Sequence, residues 1–315
     1  MILVTGASGF VGSALVDALA HLGVAVRACY RNDKNLPRVD IDVIGGIDLL
    51  SSNDLKPVLS GVSVIVHTAA RVHVMQERSD NPLEAFRRMN VDATLRLARQ
   101  AAESGVKRFV YISSIKVNGE QTLTGQKFTA DMRPSPSDAY GISKLEAENG
   151  LLSMAKETGI EVVIIRPPLV YGLGVKANFA KLMTWVARGI PLPFACIDKN
   201  RRSMVGLDNL VNLLILCTSH PSAANQVFLV SDDEDLSTAG LIHAIGVAVG
   251  QSAHLFPVPK ACLSWGAKLI GKRGFTDRLL GNLQVDITKT KELLNWHPPF
   301  TVAEGLKKTV IIKPH

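Results

Sequence analysis

Tyr140 and Lys144 stand four residues apart in Tyr140-Gly141-Ile142-Ser143-Lys144, which on a helix puts them one turn apart on one face. A phenol is a weak acid with a pKa of about 10, and an ammonium one turn away favours its ionised form. A serine hydroxyl bonded to the same substrate oxygen polarises a carbonyl there, and Ser113-Ser114 lies upstream. Ser114, Tyr140 and Lys144 together suit proton transfer at an oxygen while hydride moves at its carbon. Such a pair is also common on solvated helix faces, so the surrounding elements decide its meaning.

Hydride chemistry needs a carrier, and the first residues supply a place for one. Ile2 to Thr5 is a short apolar run that ends in Gly6-Ala7-Ser8-Gly9-Phe10-Val11-Gly12, followed by helical periodicity from Ser13 to His21. Strand, glycine turn and helix form the context in which a dinucleotide fingerprint is expected. Gly6 permits the tight turn, Gly9 lets backbone approach a pyrophosphate, and Gly12 lets helix pack on sheet. Ser8, Phe10 and Val11 complete the loop at a helix N-terminus, where amides and partial positive charge favour phosphate.

The second strand, Val24 to Tyr30, ends in Tyr30-Arg31-Asn32 with no carboxylate before Asp33. A carboxylate there would take the ribose hydroxyls of NAD, whereas Arg31 can pair with a 2′-phosphate or stack on adenine. The reading favours NADP and leaves NAD open. Asp40 to Ile44 reads as a strand, and Asp48-Leu49 follows in a loop suited to meet adenine. Val62 to Thr68 is an apolar strand, and the small residues Thr68, Ala69 and Ala70 leave room for the cofactor's backbone. His67 reads as a packed strand-end residue. Glu84 to Ser104 reads as one long amphipathic helix in which Asn90 can serve as an internal hydrogen-bonding post. Arg108 to Ser113 is the next strand, so Ser114 falls at its carboxyl end, where α/β sheets hold ligands.

Ser137 or Asp138 caps the helix carrying Tyr140 and Lys144, which runs towards Thr158. Glu161 to Ile165 is another apolar strand. It leads into Arg166-Pro167-Pro168-Leu169-Val170-Tyr171-Gly172, a stiff connection whose Pro167 and Val170 can wall a flat ring. Strands alternating with helices predict an α/β fold, a doubly wound parallel sheet. Beyond Gly172 the pattern loosens. Ala177 to Arg188 reads as helix, Pro191 to Phe194 as strand-like, and Asp208 or Asn209 as the start of a helix from Leu210 to Thr218. Val227 to Val230 returns to the sheet, and Leu236 to Gly250, Lys260 to Ile270 and Thr288 to Leu294 read as helices. Residues 1–176, with 203–235 returning, are assigned to the dinucleotide-binding domain; 177–202 and 236–315 form a smaller substrate lobe.

Composition sets outer bounds. The chain has 315 residues, 47% of them hydrophobic and 20% charged, which is globular rather than disordered and enough for a large core. A net charge of +7 suits an anionic small molecule, an acidic partner or a membrane surface. Its lysines and arginines are scattered apart from Lys307-Lys308 and the stretch Lys268 to Arg278, without the aromatic interleaving of a nucleic-acid binder. Cys29, Cys196, Cys217 and Cys262 are too far apart for a metal motif, which fits a reduced, cytoplasmic chain. No metal is expected. The first strand begins at once, with no signal peptide expected, and the run Leu210 to Cys217 is too short to span a bilayer.

Taken together, the motifs resemble the extended short-chain dehydrogenase/reductase family in its nucleotide-sugar epimerase/dehydratase branch. The resemblance rests on Gly6 to Gly12, Asp48-Leu49, His67-Thr68-Ala69-Ala70 and Asn90-Val91-Asp92-Ala93-Thr94. It continues through Ser113-Ser114, Tyr140 with Lys144, Arg166 to Gly172 and Asn295-Trp296-His297-Pro298. It implies a Rossmann sheet, a UDP-sugar substrate, Tyr140 as acid-base residue and Ser114 holding the substrate oxygen. It also implies that Lys144 binds the nicotinamide ribose, that Ser113, Asn178 and Arg201 or Arg202 contact substrate, and that a homodimer is possible. The 4,6-dehydratases of this family carry an Asp-Glu pair where this chain has Ile115-Lys116, and without those carboxylates water elimination lacks its acid and base. The 4-epimerases commonly carry an aspartate where Tyr30 stands. The expectation is therefore a reductase of UDP-linked 4-keto-6-deoxy-N-acetylhexosamines, most like the bacterial reductases that form UDP-N-acetylquinovosamine. The alternatives are a UDP-sugar 4-epimerase with bound NAD, a hydroxysteroid- or flavonoid-type ketoreductase, and a catalytically silent dinucleotide sensor.

Overall fold

The computed structural model describes residues 1–31, 41–51, 54–72, 81–269 and 279–310. Asn32, Asp33, Asp40 and Ile270 lie outside them. Seven strands make a wholly parallel sheet: β1 Ile2–Thr5, β2 Val26–Cys29, β3 Asp42–Ile44, β4 Val64–His67, β5 Arg108–Ile112, β6 Glu161–Arg166 and, later in the chain, β9 Gln226–Leu229. Their spatial order is β3-β2-β1-β4-β5-β6-β9. The order reverses between β1 and β4, where Thr5 pairs with Cys29 on one side and His67 on the other. That reversal opens a crevice at the carboxyl ends of the strands. The fold is the expected α/β doubly wound sheet.

Helices cover both faces because the strands are apolar on both, as parallel sheets require. On one face α1 (Phe10–His21) and α7 (Leu207–Cys217) pack with Val4, Val66, Val110 and Ile165. On the other, α4 (Thr94–Glu103) and α5 (Ala139–Thr158) cover Leu3, Ile65, Phe109 and Ile164. A third core unites α6 (Ala177–Ala187), α8 (Thr238–Val249) and a terminal helix, Val302–Val310, around Tyr171 and Met204. The tail beyond residue 236 divides between cores: Leu283, Val285, Leu294 and Trp296 pack with α1 and α7, whereas Val302 and Leu306 pack in the lobe.

Several elements depart from their expected form. Helix α1 starts at Phe10, directly after Gly9 at its N-cap. The single helix expected from Glu84 is three pieces: α3 (Pro82–Arg87), a π-helical turn (Arg88–Ala93) and α4. Helix α7 begins at Leu207, so Asp208 sits in its first turn and Asn209 is buried within it. Pro191 to Phe194 contributes only an isolated bridge from Leu192 to Leu255. The proline run after β6 re-enters a sheet as β7 (Leu169–Tyr171), which pairs in parallel with β8 (Met204–Gly206). Among the described residues no helix is long and apolar enough to cross a membrane, and no group of three or more His, Cys, Asp or Glu could hold a metal ion.

Candidate active site

The glycine turn is built as its spacing requires. Gly6 has φ +70°, a conformation that favours glycine. A β-carbon on Gly12 would sit 2.2 Å from the Gly6 carbonyl oxygen and 2.7 Å from Thr68 Oγ1, and one on Gly6 would sit 2.6 Å from the Ala69 amide nitrogen. Helix α1 thus starts in direct contact with the loop after β4, and no side chain caps its N-terminus. Thr68 donates to the Thr5 carbonyl at 2.7 Å, locking the two strand ends together. The first-turn amides and glycine surfaces make a cradle fit for the pyrophosphate of a dinucleotide. Asp48 accepts the Leu50 amide at 3.1 Å, forming the loop beside β3, while Leu49 is buried. Arg31 is exposed just past β2.

Asn90 lies in the π-helical turn, 1% exposed. The extra residue per turn lets its amide face inward. Its Oδ1 accepts the Arg71 amide at 2.8 Å, and its Nδ2 donates to the Arg71 carbonyl at 3.1 Å and to Ser143 Oγ at 3.0 Å. Asn90 therefore ties the loop after Ala70 to helix α5, one residue before Lys144.

Helix α5 is capped by Asp138, whose carboxylate accepts the Gly141 amide at 2.7 Å. Its first turn presents Tyr140, packed edge-on against Phe86 with ring centroids 5.9 Å apart. One turn on, Lys144 is 1% exposed, donates to the Ile112 carbonyl at 2.8 Å, and lies 4.4 Å from the Tyr111 ring centroid and 5.9 Å from that of Tyr140. Burial lowers its pKa to about 7, against a smaller upward pull from Glu148. The expected lowering of Tyr140 is not what this geometry produces: burial and then Asp138 push the phenol above its ordinary value, and a hydrogen bond with Ser114 pulls it down. Desolvation outweighs the charge one turn away, because Lys144 is itself desolvated and turned to a backbone carbonyl.

Ser114 follows β5 and caps a short turn, accepting the Lys116 amide at 3.3 Å. It shares with Tyr140 the wall of a cavity of about 450 Å³. Ser113, expected beside substrate, is 3% exposed and instead hydrogen-bonds Glu148. Glu148 is paired with Arg166 at 2.5 Å, and Arg166 also donates to Asn118 at 3.0 Å. This buried network supports α5 from β6 and does not line the cavity. Glu148, which the sequence reading missed, stands four residues after Lys144, so helical spacing puts the two on one face.

The cavity is also lined by Asn178, Lys181 and Arg202, with Trp185 and Leu241 among its apolar residues. Arg201 is not in that lining; it is exposed and folds back on the carbonyls of Asp198 and Asn200 at 3.0 and 2.9 Å. Lys181, one turn after Asn178 on α6, was legible only as its helical neighbour. Pro167 is buried, and its carbonyl accepts the Ile115 amide at 3.0 Å, while Val170 is half-buried in β7. His67 is fully enclosed, bonded to the hydroxyls of Thr5 at 2.7 Å and Thr94 at 3.0 Å and stacked on Tyr111. Burial lowers its pKa to about 3, so it is a neutral packing residue.

One face of the crevice is thus shaped for a dinucleotide, and the cavity beside it brings Ser114 and Tyr140 within reach of one substrate oxygen. Known proteins share this plan. A model of the "NAD dependent epimerase/dehydratase family" matches residues 2–230. The UDP-glucose 4-epimerase of Vibrio cholerae is 48% identical over 98% of this chain and 94% of its own. Among solved structures, the Thermotoga maritima UDP-glucose 4-epimerase with UDP-glucose aligns with a TM-score of 0.78 at 23% identity, covering 98% of this chain and 97% of that one. The Bacillus cereus UDP-glucuronic acid 4-epimerase in complex with NAD aligns with a TM-score of 0.77 at 21% identity, over 98% and 96%. A family match over more than two thirds of the sequence, joined to near end-to-end similarity with a relative, makes this chain a member of the NAD dependent epimerase/dehydratase family.

Proposed function

We propose that this protein is a UDP-sugar 4-epimerase. The observation that carries the reading is the cavity itself: its wall holds the hydroxyls of Ser114 and Tyr140 together with the polar and basic side chains of Asn178, Lys181 and Arg202. A UDP-hexose fits that lining, with its sugar oxygen at the two hydroxyls and its diphosphate at the basic side chains. The 48% identity to the Vibrio cholerae UDP-glucose 4-epimerase favours this over the 4-keto reductase ranked first on sequence alone. No Asp-Glu pair follows Ser114, which argues against dehydration.

A nicotinamide dinucleotide held by Gly6, Gly9, Gly12 and the loop after Ala70 that Asn90 ties down would supply hydride acceptance and return at the sugar carbon. The chain's own work is at the oxygen. Tyr140, as the phenolate, takes the proton of the C4 hydroxyl and later gives it back, Ser114 holds that oxygen by a hydrogen bond, and Lys144 lies one turn on with its nitrogen 5.9 Å from the Tyr140 ring centroid. The buried pair of Glu148 and Arg166 keeps α5, and so Tyr140, at a set distance from β6. Room in the cavity lets a 4-keto sugar turn its other face before it is reduced.

Tyr30-Arg31 favours a second reading, an NADPH-dependent 4-keto reductase, since no carboxylate stands at the end of β2. One experiment separates them. Purified protein is given UDP-glucose, UDP-galactose and their N-acetylamino counterparts without added nicotinamide, and separately a UDP-4-keto-6-deoxy-N-acetylhexosamine with NADPH. Interconversion of a 4-epimer pair with no free cofactor consumed is the expected result. Stoichiometric NADPH oxidation with the keto sugar, and no interconversion, would replace the epimerase with the reductase.

A further inference from the structure

Beside Tyr140 sits a cluster of charge that the proton-transfer scheme does not use. Lys116, two residues after Ser114, pairs with Asp138, the cap of α5, and with Glu120 at 3.1 Å. The Lys116 side chain is four-fifths enclosed, and the Asp138 side chain is 29% exposed. Lys116, Glu120, Ser114 and Tyr140 all line the same cavity. Asp138 holds its place twice over: one carboxylate oxygen accepts the Gly141 amide, and the other meets Lys116.

That arrangement poses an electrostatic problem. The helix N-terminus benefits from an acidic cap, but a carboxylate two residues from Tyr140 opposes loss of the phenol's proton. Asp138 does raise the pKa of Tyr140, second only to burial. The other groups near the phenol offer limited relief. On α5, Lys144 is buried and turned to the Ile112 carbonyl, and Glu148 is committed to Arg166. From β5 and the turn after it come Tyr111, Ser114, Lys116 and Glu120. From α3 come the Phe86 ring, with the Arg71 guanidinium 5.7 Å from that ring's centroid, and Arg87, which is paired with Glu146 of α5 at 2.6 Å. Lys116 is the cation placed directly on the offending carboxylate.

We propose that Lys116 is a positioning residue that neutralises Asp138, so that the helix keeps its acidic cap while Tyr140 remains able to exchange its proton with substrate. This rests on the reading of Tyr140 as the acid-base group. Occupying the place where dehydratases of the family carry a carboxylate, the lysine serves the chemistry at the C4 oxygen instead.

The test is a pair of substitutions with opposite signs. Lys116→Met leaves Asp138 uncompensated, and the pH at which kcat rises to its plateau should move up by about one unit. Asp138→Asn still caps the helix but removes the charge, and the same limb should move down. The double variant, Lys116→Met with Asp138→Asn, should return close to wild type, and Lys116→Arg should leave the profile in place. Lys116→Met and the double variant both lose the lysine, so a merely structural role would give them the same profile, with kcat reduced at every pH. Equal profiles in all four proteins, or shifts of one sign, would overturn the proposal. A second readout does not depend on the substrate assignment: the ultraviolet difference spectrum of tyrosinate formation, with Tyr140→Phe as the blank. If no UDP-sugar turns over but the phenolate titration still moves in opposite directions in the two single variants, the epimerase reading fails and the role of Lys116 stands.

Discussion

At Tyr140, the proposed proton transfer turns on one hydroxyl. Tyr140→Phe keeps the ring against Phe86 and removes only the proton donor, so kcat should fall by about 10²–10⁴. Dinucleotide affinity, measured by fluorescence titration, should stay within twofold; a variant that keeps wild-type turnover would reassign the acid-base role. Lys144 offers a thermodynamic check on its burial. Its pKa is lowered from 10.5 to about 7 in the folded chain. Between those values the unfolded chain holds a proton that the folded one does not, so stability contributed by this residue rises with pH. The slope is at most about 1.4 kcal/mol per pH unit. Urea unfolding at pH 7.5 and 9.5 should therefore show wild type gaining stability relative to Lys144→Met as pH rises. Equal differences at both pH values would mean that Lys144 is not desolvated as the structure has it.

At the scale of elements, the meeting of β1, α1 and the loop after β4 leaves no space for another carbon. Gly12→Ala would drive a methyl into the Gly6 carbonyl, which is backbone and has no rotamer to yield. Helix α1 must shift, at a cost of about 1–3 kcal/mol, and the amides of its first turn move with it. Calorimetric titration should show dinucleotide binding weakened at least tenfold, with thermal unfolding at a lower temperature. Unchanged affinity would separate the cradle from the cofactor. The glycine spacing was readable because each requirement is local: a turn, a close approach and a helix start fall within seven residues. The break in the helix at Asn90 was not. Nothing in Arg88-Met89-Asn90-Val91 disfavours α-helix strongly. The π turn is held by what Asn90 reaches, the backbone of Arg71 and Ser143 on α5, and those partners are 19 and 53 residues away.

Across the whole molecule, the lobe is joined to the sheet by a buried polar knot. Asp232 accepts the Gly206 amide at 2.8 Å, Asn209 Nδ2 at 2.7 Å and the Tyr171 hydroxyl at 2.7 Å. Asn209 also donates to the Phe300 carbonyl at 2.8 Å and accepts the Phe300 amide at 3.0 Å. The knot thus links β7, β8, α7, the loop after β9 and the entry to the terminal helix. Asn209→Ala deletes three of these bonds and leaves Asp232 short of a donor, which should cost about 1–3 kcal/mol and lower Tm. Hydrogen exchange should quicken first in the peptide spanning residues 300–310. Uniform exchange with an unchanged Tm would mean that the knot carries little of the lobe's attachment.

Sequence by itself determined the parallel α/β plan, the glycine cradle and the spacing of Tyr140 and Lys144, because each is a local pattern of period, turn chemistry or capping. The family motifs at the strand ends were legible for the same reason. Tertiary structure decided which of two adjacent residues faces the site. Ser113 and Ser114 are equivalent as a dipeptide, yet neighbours on an extended chain point to opposite sides. Pairing of Ser113's amide with the Ile165 carbonyl sets that parity, sending Ser113 to Glu148 and Ser114 to Tyr140. Arg201 and Arg202 divide in the same way, since bridges to Leu236 and Leu283 turn only Arg202 into the cavity wall. The balance of charge around Tyr140 also belongs to the fold: Lys116 and Asp138 are 22 residues apart, and only the packing of α5 against the turn after β5 brings them into contact.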